Sequence, residues 1–137
     1  MKLPGACTAV VTVLNTPARL LRVASLGDSG LRVYRAGRLM YATPQQQHYF
    51  DCPYQMSDPG QTDRSDSPAD ALTADVAVSP GDIVLMGSDG VFDNVSDEEL
   101  EGAMVALAKA CEGAPPERAR RNMAAAAAGE KRVGVRL

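Results

Sequence analysis

The stretch from residue 79 to residue 100 constrains the fold of this chain more than any other part of its sequence. It opens with a Ser-Pro-Gly turn signal, and the short apolar run at 83–86 is typical of a buried strand bounded by turns. Asp89 stands where this strand ends, and Gly90 gives the backbone the freedom to turn sharply after it. The pattern therefore predicts a carboxylate presented at the end of a strand.

A helix is predicted to begin shortly after this turn. Ser96 is followed three residues later by Glu99, which matches the capping box that opens many helices. The order strand, carboxylate, turn and helix is well suited to a metal site. Apolar side chains then recur at helical spacing and predict the buried face of that helix: Leu100, Met104, Leu107 and Cys111.

A calcium-binding loop is the first alternative, because acidic residues are dense here. An EF-hand loop that starts at Asp89 needs an oxygen ligand at its third position, Gly at its sixth and Glu at its twelfth. Those positions hold Val91, Asn94 and Leu100, so the calcium loop is excluded. A lone Asp-Gly pair more commonly marks only a turn, and the longer string is what makes this site more specific.

The string SDGVFDN at residues 88–94 resembles the S/T-D-G-hydrophobic-aromatic-D motif of the type 2C (PPM) metal-dependent protein serine/threonine phosphatases. In that family the first Asp of the motif is a ligand of the catalytic metal pair. The resemblance therefore implies that Asp89 is a metal ligand.

A second motif supports the same resemblance. The string VASLGDSG at residues 23–30 is similar to the family segment V-A-N-x-G-D-S-R, with Gly30 in place of the usual Arg. The Asp of that segment lies beside the metal cluster in the family and can hold a weaker ion, which implies Asp28 as a second metal ligand. A Gly-Asp-Ser turn by itself is more commonly only a turn.

Composition sets limits on the class of protein. The chain has 137 residues, of which 45% are hydrophobic, so one domain or a part of one is expected. A formal net charge of −3 without a basic stripe argues against nucleic acid or an anionic membrane as the main partner. The three cysteines lack metal-ligand spacing. No apolar run approaches the length of a membrane span, and no membrane insertion is expected.

The first half of the chain is predicted to form strands. The apolar runs at 7–14 and 20–26 predict a hairpin, and their nearly continuous apolar character predicts burial on both faces. Residues 31–34 alternate between apolar and other side chains, which predicts a half-exposed strand. An Ala-Gly turn then leads into a further strand at 38–42.

Residues 43–73 are predicted to be a long, irregular loop, which in a compact domain is usually functional or mobile. The string QQQHYFDCPYQMS at 45–57 resembles a segment of a narrower group, the T-cell-activation-type phosphatases of mitochondria and their plastid relatives. That resemblance implies a mitochondrial or chloroplast location.

The single histidine, His48, lies in this loop and invites a catalytic interpretation. A hydrogen-bonded structural role is expected instead, because no nucleophile or second base stands near it in sequence. Three aromatic residues around it, Tyr49, Phe50 and Tyr54, are expected to anchor the loop on the sheet. The acidic residues that follow are interpreted as solvated charge: Asp63, Asp66 and Asp70.

The resemblance implies an α+β fold, a partial four-layer α/β/β/α sandwich of antiparallel sheets flanked by helices. It covers residues 5–100, followed by a helical tail at 101–137 that includes a second predicted helix at 117–128. The whole chain, 1–137, is therefore expected to be an incomplete type 2C catalytic domain. Two family motifs have no counterpart in it: the N-terminal D-G-x-G-G turn and the C-terminal D-D/D-N segment.

The function that the resemblance implies is the metal-dependent removal of phosphate from phosphoserine and phosphothreonine in proteins, with two Mg²⁺ or Mn²⁺ ions and a phosphoprotein substrate. The alternative is a truncated, inactive module that keeps the fold and binds a protein partner. Two carboxylates cannot by themselves fix two hard ions that take roughly six oxygens each. The chain alone is therefore expected to lack turnover, with no catalytic residue assigned, and to self-associate through open strand edges.

Overall fold

The computed structural model describes residues 5–58 and 65–112. The predicted helix at 117–128 and Asp63 lie outside these residues. The described part contains ten strands, one short 3₁₀ turn at Pro68–Asp70 and two helices. The strands are β1 (Ala6–Cys7), β2 (Ala9–Asn15), β3 (Leu20–Leu26), β4 (Gly30–Arg35), β5 (Arg38–Ala42), β6 (Gln47–Tyr49), β7 (Cys52–Pro53), β8 (Met56–Ser57), β9 (Leu72–Ala77) and β10 (Ile83–Gly87), and the helices are α1 (Asp89–Phe92) and α2 (Asp97–Cys111).

Six of the strands form two antiparallel sheets of three. The first sheet has the order β2-β3-β9 and the second the order β10-β4-β5. The predicted hairpin is confirmed, because β2 and β3 pair along their whole length. The strand predicted at 38–42 is confirmed as β5, which pairs with β4.

The two sheets pack face to face around an apolar core. The first sheet contributes Leu21 and Val23, and the second contributes Leu31 and Val33, each no more than 3% exposed. Their burial removes several large aliphatic side chains from water, at roughly 1.5–3 kcal/mol for each one. This inter-sheet contact fixes β3 and β4 against each other and so fixes the turn between them.

Helix α2 covers the second face of the β10-β4-β5 sheet. Its residues Leu100 and Met104 are buried against Tyr34, which is 1% exposed. The capping box predicted at its start is confirmed, since the Ser96 hydroxyl accepts from the Glu99 N–H and the Glu99 carboxylate accepts from the Ser96 N–H. The half-exposed strand predicted at 31–34 is wrong, because β4 is covered by a sheet on one side and by this helix on the other.

The first sheet has no such cover among the described residues. Val11 and Val13 of β2 are 61% and 62% exposed on its outer face, so the prediction that this hairpin is buried on both faces is wrong. The strand β10 is also less buried than predicted, because it lies at the edge of its sheet and leaves Met86 45% exposed. Three of the four expected layers are therefore described, and the α+β antiparallel sandwich is confirmed.

The turn before β10 is fixed by an ion pair. The two carboxylate oxygens of Asp82 accept from the Arg35 guanidinium at 2.9 and 2.8 Å, and the Ser79 N–H donates to the same carboxylate at 2.7 Å. The Asp82 side chain is only 3% exposed. Because Arg35 ends β4, this pair sets the register of the two strands that lead to the candidate site.

Residues 43–73 are more ordered than predicted. Strands β6 and β7 pair as a small hairpin, and β8 pairs with β1 near the start of the chain. Neither described helix is long and apolar enough to span a membrane. The short pairs bring this segment across the end of β3, where Asp28 lies.

Candidate functional site

Asp89 begins the one-turn helix α1 directly after β10. Its carboxylate accepts from the Gly90 N–H at 2.7 Å, and its carbonyl accepts from the Asp93 N–H at 2.8 Å. The Asn94 side chain donates to the Gly90 carbonyl at 3.1 Å and closes the turn. The predicted order of strand, carboxylate, turn and helix is confirmed. The prediction that Gly90 allows a sharp turn of the backbone is wrong, because Gly90 lies within this helix and is not among the residues with positive φ.

Asp28 lies in the turn between β3 and β4. Gly27 precedes it with φ of +93°, and a Cβ there would lie 2.5 Å from both the Thr8 side chain and the Tyr54 carbonyl oxygen. Only glycine fits that backbone and that space. Ser29, on the other side of Asp28, shares a 2.6 Å hydrogen bond with the Thr8 hydroxyl.

Gln46 holds the same turn from the neighbouring segment. Its backbone N–H donates to the Gly27 carbonyl at 2.9 Å, and its side-chain oxygen accepts from the Gly27 N–H at 3.3 Å. The side-chain amide also donates to the Asp70 carbonyl at 2.9 Å. Sequence reasoning did not single out Gln46, although it stands in the glutamine-rich string that carries the narrower resemblance.

The strand pairing brings the two predicted ligands to one end of the second sheet. Gly30, at the start of β4, is the direct partner of Gly87, at the end of β10. Asp28 lies two residues before that pair and Asp89 two residues after it. Two motifs separated by about sixty residues of sequence thus meet at one point of the fold.

The electrostatics of this point favour a cation. Burial raises the pKa of the Asp28 carboxyl above its ordinary value, and the negative charges of Asp89 and Asp93 raise that pKa further. Hydrogen bonds from the backbone of Asp28 and Ser29 partly oppose the rise. Repulsion between carboxylates brought together in this way is relieved by a bound cation.

Asp93 is the member of this acidic group that sequence reasoning missed. It caps the C-terminal end of α1, four residues after Asp89. Positions four apart lie on the same face of a helix, so the spacing within SDGVFDN was the available signal. The one-turn helix that joins the two residues was not predicted.

The donor chemistry of Asp28 and Asp89 fits a hard divalent ion such as Mg²⁺ or Mn²⁺, which prefers carboxylate oxygens. The set is incomplete, however. Within residues 5–58 and 65–112, no group of three or more His, Cys, Asp or Glu side chains is arranged to hold a metal ion. These residues can therefore supply two carboxylates to a centre that needs further oxygen ligands.

His48 makes a structural contact, as predicted. Its Nε2 lies 3.1 Å from both carboxylate oxygens of Asp66, and its ring stacks on Tyr54 with centroids 4.0 Å apart. Asp66 also accepts from the Gln55 N–H at 2.8 Å. The interpretation of Asp66 as solvated charge is therefore wrong.

The remaining loop predictions are only partly correct. Of the three aromatic residues expected to anchor the loop on the sheet, Tyr54 stacks on His48 within the loop, whereas Tyr49 and Phe50 are 62% and 94% exposed and so are not buried against the sheet. Asp70 is exposed to solvent, as predicted, and its carboxylate also accepts from the Ser67 N–H at 2.8 Å and completes a capping box on the 3₁₀ turn. Periodicity could not reveal these contacts, because they join residues across an irregular segment.

Comparison with known proteins gives related sequences. No protein-family model matches the chain. It is 44% identical over 98 residues to probable protein phosphatase 2C 1 of Oryza sativa subsp. japonica and 42% identical over 96 residues to probable protein phosphatase 2C 26 of Arabidopsis thaliana, and each match covers 70% of this chain. It is 38% identical over 107 residues, 75% of the chain, to the protein phosphatase PTC7 homolog fig of Drosophila virilis.

A solved structure shares the fold. The photosystem II phosphatase PBCP aligns with 88% of this chain at 33% sequence identity and a TM-score of 0.65. The match covers 44% of that protein, and the sequence matches cover 28%, 31% and 34% of the three relatives. The chain thus spans about a third of the length of its curated relatives. It belongs to the type 2C family of protein phosphatases and matches a part of their catalytic domain.

Proposed function

We propose that this chain supplies two carboxylate ligands, Asp28 and Asp89, to the divalent-metal centre of a protein serine/threonine phosphatase. One observation carries the proposal. The pairing of Gly30 with Gly87 brings the two family motifs to the same end of one sheet, where the negative charges of Asp89 and Asp93 add to the burial that raises the pKa of Asp28. Related phosphatases that are 42% and 44% identical to this chain over their matched segments support it.

The chemistry assigns separate tasks to the ions and to the protein. When bound, Mg²⁺ or Mn²⁺ ions supply positive charge to a phosphoryl group and acidify the attacking water. Asp28 and Asp89 hold that charge in place, and Asp93 adds negative potential close to them. The substrate class that we propose is phosphoserine and phosphothreonine in proteins. The names of the relatives support protein phosphatase, and the resemblance to the type 2C motifs implies the two residue types.

A chimera tests this function. Residues 5–100 replace the corresponding segment of the full-length rice relative, which supplies the other parts of a catalytic domain. We expect Mn²⁺-dependent hydrolysis of a phosphothreonine peptide by the chimera and at least a 100-fold lower turnover after Asp89→Asn. Losing one carboxylate ligand removes a negative charge that holds the ions and changes where the ions lie. Catalysis at a metal centre depends on both the charge and the position of the ions.

The matched control is Asp75→Asn, the same chemical change at an acidic residue on the outer face of the first sheet. Asp75 lies 3.3 Å from Arg22 and is exposed to solvent, so its replacement should leave turnover within twofold of the chimera. Equal activity of the chimera with and without Asp89→Asn would remove Asp89 from the metal centre and reject the proposal.

The second candidate function is a non-catalytic module that binds another protein. The exposed apolar residues of β2 favour it, because Val11 and Val13 form part of a face that no described residue covers. On the 137-residue chain alone, we expect sedimentation to show self-association that Val11→Thr combined with Val13→Thr reduces. Mn²⁺-dependent and Asp89-dependent turnover of the chimera would decide between the two candidates in favour of the phosphatase.

A further inference from the structure

The aromatic ring of the SDGVFDN motif lies on a pair of glycines. A Cβ on Gly30 would come within 3.2 Å of the Phe92 ring, and a Cβ on Gly87 within 3.4 Å of it. These are the two residues that pair at the ends of β4 and β10. Because they lack side chains, the ring can approach the backbone of both strands beside Asp28 and Asp89.

Arg32 holds this ring from its strand. Its guanidinium carbon lies 4.5 Å from the centroid of the Phe92 ring, a distance at which cation–π attraction acts. The same guanidinium forms an ion pair with Asp97 at the start of α2. The Arg32 side chain is only 16% exposed, whereas its partner Asp97 is 67% exposed. Solvent therefore screens the ion pair, and the cation–π contact with the partly buried Phe92 is the less exposed of the two attractions.

These contacts connect three elements. Arg32 belongs to β4, Phe92 ends α1 and Asp97 begins α2. Asp89 begins the same short helix that Phe92 ends, so a contact that holds the ring also restrains the helix backbone that carries Asp89. Asp28 is joined to Arg32 through the start of β4. The separation of the two carboxylates therefore depends on how firmly the ring is held.

We propose that Arg32 is a positioning residue which, through Phe92, sets the place of the Asp89 carboxylate relative to Asp28. The inference rests on the proposed function, in which these carboxylates hold a divalent ion. A planar guanidinium can stack on a ring and pair with a carboxylate at once, whereas a lysine ammonium offers only a point charge. The buried Tyr34 hydroxyl, which has no hydrogen bond of normal geometry among the described residues, lies near the same guanidinium.

The first test measures amide hydrogen exchange on the full 137-residue chain without metal. Arg32→Met keeps an unbranched, flexible stem of similar length to the aliphatic part of arginine and removes the charged, planar guanidinium. We expect exchange at residues 88–94 to accelerate at least tenfold while the amides of β3 keep their rates. Arg22→Met is the matched control, since Arg22 is also a strand arginine paired with an Asp, but it is 70% exposed on the other sheet.

Arg32→Lys separates positioning from simple stability. It keeps the charge for Asp97 and loses the planar stack, so residues 88–94 should exchange at a rate between those of the wild type and Arg32→Met. Equal acceleration of all amides in Arg32→Met would indicate a general loss of stability and overturn the proposal. Wild-type exchange at 88–94 in Arg32→Met would overturn it as well.

The second test adds MnCl₂ and follows the paramagnetic broadening of the Asp28 and Asp89 amide signals by NMR. We expect Arg32→Met to raise the apparent Kd for Mn²⁺ about fivefold, with Arg22→Met unchanged. Asp89→Asn should remove the broadening. If Asp89→Asn broadens like the wild type, the metal site of the proposed function fails, and hydrogen exchange still decides on Arg32. If Asp89→Asn abolishes broadening and Arg32→Met does not weaken it, the positioning role is wrong.

Discussion

The turns that carry Asp28 and Asp89 lie at the same end of the second sheet, but different forces hold them. The Asp28 turn is tied by hydrogen bonds from distant segments, through Gln46 and through the contact of Ser29 with Thr8. Its backbone is left-handed at Gly27, where φ is +93°, a conformation that glycine adopts without strain and other residues do not. This turn is therefore held by contacts among three segments of the chain.

The Asp89 turn is local by comparison. Its hydrogen bonds run between residues 88 and 95, and its backbone has ordinary helical geometry. Its link to the rest of the fold is packing, of Phe92 against two glycines and against Arg32. We infer that the positions of the two proposed ligands depend on separate parts of the structure. A substitution near one turn is therefore expected to change that turn and leave the other unchanged.

The largest expected effect is a difference in stability between two variants, each of which adds one methyl group to a glycine in one of the two turns. Gly27→Ala forces a left-handed backbone on alanine and places its Cβ 2.5 Å from Thr8 and Tyr54 atoms, so the free energy of unfolding should fall by about 3 kcal/mol. Gly90→Ala lies in a helix and meets only the Ser88 hydroxyl at 3.4 Å, and should gain about 0.5 kcal/mol. Urea denaturation of both variants measures the difference. Similar losses in both would erase the contrast between the turns.

Gln46→Ala should produce the next largest change. It leaves the buried Gly27 N–H and the Asp70 carbonyl without their side-chain partner, which should lower the free energy of unfolding by about 2 kcal/mol. Hydrogen exchange should accelerate at residues 27–30 and not at 88–94. Gln45→Ala, at the neighbouring residue of the same string, is the control. Acceleration at both turns would show that they form one cooperative unit.

Gly87→Ala should act on the Asp89 turn alone. The new Cβ would lie 3.2 Å from Val91 and 3.4 Å from the Phe92 ring, and overpacking of this kind costs about 1 kcal/mol. NMR chemical shifts should change at residues 88–94 and stay constant in the Gly27–Ser29 turn. Gly102→Ala, where a Cβ would meet nothing within 4 Å, is the control. Shifts of equal size in the Asp28 turn would contradict its independence.

The smallest expected effect is a dependence on pH. Because the pKa of Asp28 is raised in the folded state, its ionised form opposes folding, and the contribution of Asp28 to stability falls as the pH rises from 3.8 through the raised folded value. Asp28→Asn removes this opposition and should raise the urea midpoint slightly at pH 7, with the gain lost below pH 3.8. Metal-free protein is required, since a bound cation would reverse the sign.

Asp82→Asn is the control of opposite sign. The hydrogen bond from Arg35 lowers the pKa of the Asp82 carboxyl, so its stabilising effect is present above the ordinary value of 3.8 and disappears as the pH falls through the lowered folded value. Asp82→Asn should therefore lower the midpoint at pH 7. A loss at pH 7 for both variants would show that Asp28 is stabilised in place as a carboxylate and would contradict the repulsion inferred here.

Four residues show which features of the fold could be predicted from the sequence and which could not. Ser96 and Glu99 predicted the start of α2 correctly, because a capping box is a contact between residues three apart. The exposure of β4 was predicted wrongly, since Tyr34 looked like a solvent-facing residue until α2 was placed above it. Asp66 looked like loop charge because its partner, His48, is distant in sequence.

The sequence by itself determined the strands β2 to β5 and β10, the cap at Ser96, the two acidic motifs and the family, because these depend on residues close together along the chain or on strings specific enough to stand alone. Only the tertiary structure decided that Gly30 pairs with Gly87, that Gln46 holds the Asp28 turn and that Arg32 holds Phe92. The reason is physical. Those contacts form between segments that no periodicity links, and their energies exist only after the two sheets and the helix have packed.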